Sequence, residues 1–172
     1  PTLMRKAGVT DYEGFAREIL LFIQDKPISF EVFSDDFDEM ESQAKQISSW
    51  GENVCVKIPI TNTKGESSIP LVTRLSSAGV KVNVTAMMTT KQLRDALPAL
   101  ADGPGGYVSV FAGRIADSGR DPVPMMKEVI QLLRLQNHVE NHIQLIWASP
   151  REIFNLVQAE EIGCHVITMT ND

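Results

Sequence analysis

One repeat constrains the fold of this chain more than any other feature. Polar or charged residues stand at or near the carboxyl ends of four short apolar runs, at Glu31, Lys57, Asn83 and Ser109, each 26 positions after the one before. The segments between them carry apolar residues three and four positions apart, the spacing of helices with one buried face. A strand followed by a helix, repeated along the chain, predicts a parallel sheet. The candidate strands span residues 28–33, 53–59, 80–84, 107–111, 143–148 and 164–168.

The positions of these polar residues favour a closed barrel over an open, doubly wound sheet. In an open sheet the chemistry gathers at one switch point, whereas in an eightfold barrel it comes from the ends of many successive strands. No glycine-rich phosphate loop of the Rossmann or P-loop type is present. Such barrels typically need about 250 residues, and this chain has 172. We therefore predict an α/β fold, a (β/α)8 TIM barrel, in which residues 1–172 form a single domain that covers about six of eight strands and lacks the first two strands and the C-terminal helix.

The charge and hydropathy of the chain restrict its partners. Sixteen Lys and Arg against twenty-two Asp and Glu give a net charge of −6 at pH 7, which argues against a nucleic acid partner. The longest apolar runs, such as residues 19–23, are far shorter than the roughly 20 residues that cross a bilayer, so no membrane span is predicted. Both cysteines lie in apolar runs and no signal-peptide pattern is present, which favours a cytoplasmic protein.

Lys57 is the first candidate for chemistry. It interrupts the run VCVKIP, which is otherwise typical of a buried strand. Because side chains alternate between the two faces of a strand, Lys57 shares its face with Cys55, and we expect its amine to point into the barrel. A buried amine that has lost its proton is a nucleophile for carbonyl carbons. The alternative is a lysine at a strand end whose ammonium group reaches into solvent.

Polar side chains on the neighbouring strands add to this candidate site. Glu31 supplies a carboxylate on the preceding strand, and Asn83 and Thr85 place an amide and a hydroxyl on one face of the following strand. Ser109 and Phe111 place a hydroxyl and an aromatic ring on the next strand. Together with the lysine, these groups could supply the nucleophile, the proton shuttle and the hydrogen-bond donors of an imine-forming site. The amide and the hydroxyls also fit simple hydrogen bonds at strand ends.

Two arginines indicate an anionic ligand. Arg114 follows a strand end, and Arg151 stands in the first turn of a predicted helix that Ser149 caps and Pro150 opens. Because helix N-termini favour phosphate, the two arginines suggest a phosphosugar. The alternative for each is a surface salt bridge. Asp117 fits a turn or cap residue, and also a partner that orients Arg114.

The histidines do not form a metal-binding motif. His138 and His142 are four positions apart, but together with His165 they fit surface or packing positions better than a metal site. We therefore predict no metal and no cofactor.

Four segments make the sequence similar to a known family. They are VKIP at 56–59, VNVTA at 82–86, SVFAGRIADSG at 109–119 and ASPR at 148–151, and they closely resemble the transaldolase family in order and spacing. The resemblance implies a class I aldolase-type barrel in which Lys57 forms a Schiff base with a ketose phosphate and transfers a dihydroxyacetone unit to an aldose phosphate. It also implies sugar phosphate substrates, the pentose phosphate pathway and a homo-oligomer.

The resemblance assigns roles to the other candidates. Glu31 and Thr85 would relay a proton through a water molecule, Asn83 and Ser109 would bind substrate hydroxyls, and Phe111 would line the site. The residues assigned to the phosphate group are Arg114, Ser149 and Arg151. Fructose-6-phosphate aldolases, a sister group, usually have Gln at the position of Glu31 and Tyr at that of Phe111. Both positions therefore favour a transaldolase.

The sequence departs from the family pattern at three places. The resemblance implies a catalytic Asp on the first strand of the barrel and an Asn directly before Pro1, and both positions fall outside this chain. Pro150 replaces a bulkier aromatic residue and removes one N–H group, and Glu152 adds a negative charge, so both changes are expected to weaken phosphate binding. The segment MMT at 87–89 is expected to alter the rim of the site rather than its chemistry. Other functions stay open on this sequence: a fructose-6-phosphate aldolase or another phosphosugar lyase, a phosphosugar isomerase or epimerase with Glu31 as base, and a non-catalytic phosphosugar-binding barrel.

Overall fold

The computed structural model describes residue 4 and residues 7–136 and 143–169. The strands are β1 (Ile28–Glu31), β2 (Val54–Pro59), β3 (Val82–Met87), β4 (Gly106–Val110), β5 (Ile143–Trp147) and β6 (Val166–Ile167). The helices are α1 (Tyr12–Phe22), α2 (Phe37–Ser48), α3 (Ile69–Ser77), α4 (Thr90–Ala101), α5 (Ala112–Asp117), α6 (Val123–Gln136) and α7 (Phe154–Glu161). Within these ranges, none of the helices has the length and apolar character that crossing a bilayer requires.

The strands form one parallel sheet in which each strand pairs with the next one along the chain, from β1 to β6. This sequential order, with helices between the strands, is that of a partial TIM barrel, so the predicted fold class is confirmed. All six predicted strands are present. The greatest differences are at β3, which extends three residues further than predicted, and at β6, which is only two residues long.

The two faces of the sheet pack differently, and this places the candidate site. Val54, Val56 and Ile58 of β2 are buried in a large apolar core together with residues of the helices. Cys55 alternates with these residues along β2, so its side chain lies on the opposite face of the sheet and belongs to a separate cluster. This second cluster marks the inner face of the partial barrel and consists of Cys55, Tyr107, Ile146 and Ala148. The alternation along β2 places Lys57 on the inner face with Cys55, as predicted.

A bulge in β3 ends its contribution to the inner face. The pairing between β3 and β4 passes from Val84 with Val108 to Met87 with Val110, so β3 holds one extra residue there. Within this segment Ala86 has a φ of +64°. Because the extra residue reverses the alternation of side chains, Met87 packs in the helix-side core instead of sharing the face of Thr85.

The segment after the bulge serves packing and helix capping. Met87 is fully buried. Thr89 is the N-cap of α4: its side chain accepts a hydrogen bond from the N–H of Gln92, whose own side chain accepts from the N–H of Thr89. Two of the three residues in the departing segment 87–89, Met87 and Thr89, therefore have structural roles.

Candidate active site

Glu31, Lys57 and Asn83 lie side by side at the carboxyl ends of the first three strands. In the strand register Glu31 pairs with Lys57, and Lys57 pairs with Asn83. We call these three residues the central row. Because neighbouring strands are only about 4.8 Å apart, one small ligand on the inner face can contact all three side chains. Across β1, β2 and β3, residues that are 26 positions apart in the sequence are thus paired in the sheet.

Ser109 joins the same site although it is not in the row. The register places Tyr107 opposite Asn83, and Ser109 lies two residues further along β4. The Ser109 hydroxyl nevertheless donates a hydrogen bond of 2.7 Å to Asn83 Oδ1. The third step of the repeat, from Asn83 to Ser109, therefore ends two residues further along the strand than the register, and the hydrogen bond between the two side chains spans this offset.

Asn83 is the buried centre of a small hydrogen-bonded network. Its exposed fraction is 3%, and its Nδ2 donates to the Ser29 hydroxyl of β1 at 3.0 Å. The network therefore extends from β1 to β4 across β2. Our sequence analysis missed Ser29, which lies two positions before Glu31 and so, by the period of a strand, on the same face. An amide that uses one N–H in this way keeps a second N–H for a ligand.

Lys57 is half-buried on the inner face. None of the ion pairs between described residues involves its ammonium group. Its neighbour on the same face, Cys55, is fully buried, and burial raises the pKa of the Cys55 thiol. Because the thiolate is the reactive form of cysteine, this thiol is a poor nucleophile at neutral pH. Of these two side chains, Lys57 is therefore the better candidate for a nucleophile.

A tyrosine from α1 fixes the backbone of Glu31. The Glu31 N–H donates to the Tyr12 hydroxyl at 2.9 Å. The Tyr12 ring packs edge-on against Phe30, Phe33 and Trp50. Burial raises the pKa of Tyr12, so its hydroxyl stays protonated at neutral pH. The contact holds the end of β1, and with it the start of the half-buried Glu31 side chain.

The Thr85 hydroxyl is buried and has no hydrogen-bond partner among the described residues. Thr85 pairs with Pro59, two residues beyond Lys57 on β2, and its exposed fraction is 4%. A buried hydroxyl without a partner costs about 1–3 kcal/mol. Such a group requires an explanation, and binding to a ligand or to a water molecule supplies one.

Phe111 and Arg114 lie where β4 passes into α5. Phe111 packs against the inner-face cluster, and the Arg114 guanidinium carbon lies 5.4 Å from the centre of its ring. This is the arrangement of a cation–π contact. The contact keeps the exposed Arg114 side chain next to the inner face.

Helix α5 and the loop after β5 meet at one close backbone contact. A Cβ atom on Gly113 would lie 1.6 Å from the carbonyl oxygen of Ser149, so only glycine permits this approach. Ser149 itself has a φ of +58°, in the left-handed region that residues with a side chain rarely adopt. We call residues 111–117, most of which form α5, together with the loop residues 148–151 the arginine loops. Their contact places Arg114 close to Arg151.

The helix start predicted at Ser149 is wrong. The helix α7 begins at Phe154, because the left-handed backbone of Ser149 does not have the extended geometry of an N-cap residue. The Asn155 side chain instead accepts hydrogen bonds from the N–H groups of Arg151 and Glu152, at 2.7 and 3.3 Å. The proposed binding of phosphate to a helix start at Ser149 loses its basis, and the basic groups here are arginine side chains.

Arg151 forms an ion pair with Asp117, the last residue of α5. Its Nε donates to Asp117 Oδ1 at 2.9 Å, and its Nη2 donates to Oδ2 at 2.5 Å. These hydrogen bonds, with a smaller contribution from the charge of Arg114, hold the pKa of Asp117 below its ordinary value. The sequence suggested Asp117 as a partner of Arg114, whereas the structure pairs it with Arg151. Arg114 forms no ion pair with another described residue.

The described ranges contain no group of three or more His, Cys, Asp or Glu side chains arranged to hold a metal ion. His138 and His142 lie outside those ranges. His165 has a structural contact, because its Nδ1 accepts a hydrogen bond from the Leu145 N–H at 3.1 Å.

The arrangement joins two kinds of chemistry at one edge of the sheet. The central row presents an amine, which forms imines with ketones, between a carboxylate and an amide. The arginine loops at the next strand ends present guanidinium groups, which are suited to phosphate. A phosphorylated ketose has both of the groups that this edge can recognise.

Comparison with known proteins agrees with this geometry. Residues 10–172 match the family model described as Transaldolase/Fructose-6-phosphate aldolase. A probable transaldolase of Dehalococcoides mccartyi is 31% identical over 169 residues, which are 98% of this chain and 73% of that protein. Probable transaldolase 2 of Listeria monocytogenes is 34% identical, and a probable transaldolase of Caldicellulosiruptor saccharolyticus is 33% identical, each over 98% of this chain and 72% of the relative. On this evidence the chain belongs to the transaldolase/fructose-6-phosphate aldolase family.

Proposed function

We propose that this protein is a transaldolase. It transfers a dihydroxyacetone unit from a ketose phosphate, sedoheptulose 7-phosphate or fructose 6-phosphate, to an aldose phosphate. The observation that carries this proposal is the central row, in which Lys57 stands on the inner face between Glu31 and Asn83 in the strand register. The names of the relatives and the family model support the same activity.

The reaction begins at the Lys57 amine. It attacks the C2 carbonyl carbon of the ketose, and loss of water gives a protonated imine. The C3–C4 bond then breaks as the C4 hydroxyl loses its proton, and the electron pair of that bond moves into the imine to form an enamine. The aldose phosphate leaves, and the enamine carbon attacks the aldehyde of the acceptor. Water finally hydrolyses the new imine and releases the ketose product.

The polar groups around the amine match the needs of these steps. Glu31 is the neighbouring carboxylate in the row, and we assign it the proton transfers together with the Thr85 hydroxyl, through a water molecule. The free N–H of Asn83 and the hydroxyl of Ser109 bind substrate hydroxyl groups. Phe111 lines the site beside them.

The phosphate group of the substrate belongs at the arginine loops. Arg114 carries a guanidinium without an ion-pair partner among the described residues, and Arg151 keeps N–H groups that Asp117 does not occupy. Ser149 contributes its backbone to the shape of this site, since its carbonyl contacts Gly113 and Arg151.

Borohydride trapping tests the proposal. Protein incubated with fructose 6-phosphate and reduced should carry one covalent sugar adduct, and peptide mass analysis should place it on Lys57. Lys57→Met should lose the adduct and reduce transfer of dihydroxyacetone to erythrose 4-phosphate by on the order of 10⁴-fold or more, as expected for the loss of a covalent nucleophile. Lys64→Met, which removes an exposed lysine from the loop after β2, is the matched control and should retain both.

Other outcomes identify a different function. Activity that survives in Lys57→Met but disappears in Glu31→Ala would mean proton-transfer chemistry without an imine, as in an isomerase or epimerase. Release of free dihydroxyacetone at the same rate with and without an acceptor would mean an aldolase. Tight binding of fructose 6-phosphate without adduct and without turnover would mean a binding protein.

A further inference from the structure

The Arg151 side chain is held from two sides. On one side, its Nε and Nη2 donate to the Asp117 carboxylate. On the other, its Nη1 donates to the backbone carbonyl of Ser149 at 3.0 Å. A guanidinium is planar and has five N–H donors, so these contacts occupy three and leave one N–H on each terminal nitrogen. The orientation of these two remaining N–H groups is therefore fixed before any ligand arrives.

The ion pair contributes little to stability, because both side chains are about half exposed, at 44% and 53%. The residues that surround the ion pair indicate a role other than stability. A Cβ atom built on Gly113 would lie 3.2 Å from Arg151 Cγ, and Gly113 directly precedes Arg114. The guanidinium groups of Arg114 and Arg151 thus lie close enough to the Asp117 carboxylate for both charges to lower its pKa.

We propose that Asp117 is a positioning residue of the sugar phosphate site. It holds the Arg151 guanidinium so that the two free N–H groups are directed at the phosphate that Arg114 also contacts. The inference rests on the proposed function, because it assigns the arginine loops to the phosphate of the substrate. The opposite role, in which Asp117 competes with phosphate for Arg151, predicts the opposite change in affinity.

Binding measurements in the Lys57→Met background separate this inference from the imine chemistry. Calorimetry with fructose 6-phosphate should give a Kd that is about tenfold higher in Lys57→Met/Asp117→Asn than in Lys57→Met alone, because a misdirected arginine loses much of its contribution. In the protein with Lys57 intact, Asp117→Asn should raise KM for fructose 6-phosphate by a similar factor and leave kcat within about twofold. Inhibition by inorganic phosphate should weaken in parallel. Asp117→Glu, which keeps the carboxylate, should restore part of the affinity.

Glu128→Gln is the matched control, since it removes an exposed carboxylate that pairs with Arg94 on the outer helices. It should change neither Kd nor KM. The inference is overturned if Asp117→Asn leaves the Kd unchanged or lowers it, or if Glu128→Gln raises the Kd equally. Absence of an imine on Lys57 together with weaker binding in Asp117→Asn would contradict the transaldolase proposal alone. An imine on Lys57 together with unchanged binding would contradict the Asp117 inference alone.

Discussion

The central row and the arginine loops differ in what holds them in place. Lys57 and Asn83 stand on adjacent strands whose pairing fixes their positions. Asn83 is further held by two uncharged hydrogen bonds, of which the one from Ser109 is buried. Arg114 and Arg151 are exposed and charged. They are held by a cation–π contact with Phe111, by an ion pair with Asp117 and by the close approach of Gly113 to Ser149. The sheet therefore positions the groups that we assign to the proposed reaction, while the arginine loops position positive charge.

This difference suits the two tasks in the proposed reaction. Bond formation requires the amine and its neighbours to keep a fixed geometry, which a rigid sheet supplies. A phosphate group has to arrive from water, so its partners need to be accessible. Exposed charges are also screened by salt far more than buried groups are. The two regions should accordingly respond differently to substitution, ionic strength and pH.

The largest effect is expected from Gly113→Ala. The added Cβ would collide with the Ser149 carbonyl oxygen, so the arginine loops have to separate. We expect a loss of about 3 kcal/mol in the free energy of unfolding, the upper end of the cost of overpacking, despite the higher helix propensity of alanine. Urea unfolding measures this loss. KM for fructose 6-phosphate should rise, while borohydride trapping of unphosphorylated dihydroxyacetone on Lys57 should persist.

Gly119→Ala is the control for this variant. Gly119 has a φ of +78° and no neighbour within 4 Å of a built Cβ atom, so alanine there meets backbone strain but no collision. It should cost only about 1 kcal/mol and leave KM unchanged. Equal effects of the two substitutions would show that the contact between the loops does not set the geometry of the site.

The same contrast explains which parts of the molecule could be predicted from sequence. The strand period places Lys57 and Asn83 on one face, and the 26-residue repeat brings them into one row, so both were predicted from simple patterns. Ser29 was predictable by the same period but was overlooked. These residues follow the geometry of regular strands, in which sequence position translates directly into spatial position.

The sequence indicated Arg114 and Arg151 as candidates, but the geometry of the arginine loops did not follow from any local pattern. Ser149 begins a segment that resembles a capping box, but its positive φ excludes that geometry, and nothing in the local sequence signals such a conformation. The bulge at Ala86 is also not signalled by the local sequence, because it depends on the pairing of β3 with β4. Whether Asp117 pairs with Arg114 or with Arg151 depends on the contact between α5 and the loop after β5, which are far apart in the sequence. Tertiary contacts decide all three, and neither the strand period nor the 26-residue repeat contains information about these contacts.

A smaller effect is expected from Asn83→Ala on the sheet side. The substitution removes a buried amide and leaves the Ser109 hydroxyl without its partner. We expect a loss of about 2 kcal/mol in the free energy of unfolding, typical of a disrupted buried hydrogen-bond network. Because the network is uncharged, this loss should be the same in 0.05 M and in about 1 M salt, where the Debye length is only about 3 Å.

Ser29→Ala is the comparison for this variant. Ser29 is exposed, so the loss of its hydroxyl should cost no more than about 0.5 kcal/mol. If Asn83→Ala lost its effect in high salt, or if both substitutions had equal effects, burial would not be what holds the row.

The smallest effect is expected when acid protonates Asp117 and removes its ion pair with Arg151. The pKa of Asp117 in the folded protein is lowered by its hydrogen bonds with Arg151, so the carboxylate is more easily ionised when folded than when unfolded. The stability that this pair contributes is therefore fully present above the ordinary aspartate value of about pH 4, and it is lost as the pH falls from there through the lowered pKa. The thermal unfolding temperatures of the protein and of Asp117→Asn should thus differ slightly at pH 7 and converge in acid.

Asp35 and Glu41, whose pKa values are also lowered, are present in both proteins, so their effects cancel in the comparison. A difference that stayed constant with pH would mean that the pair seen at the arginine loops is not maintained in solution.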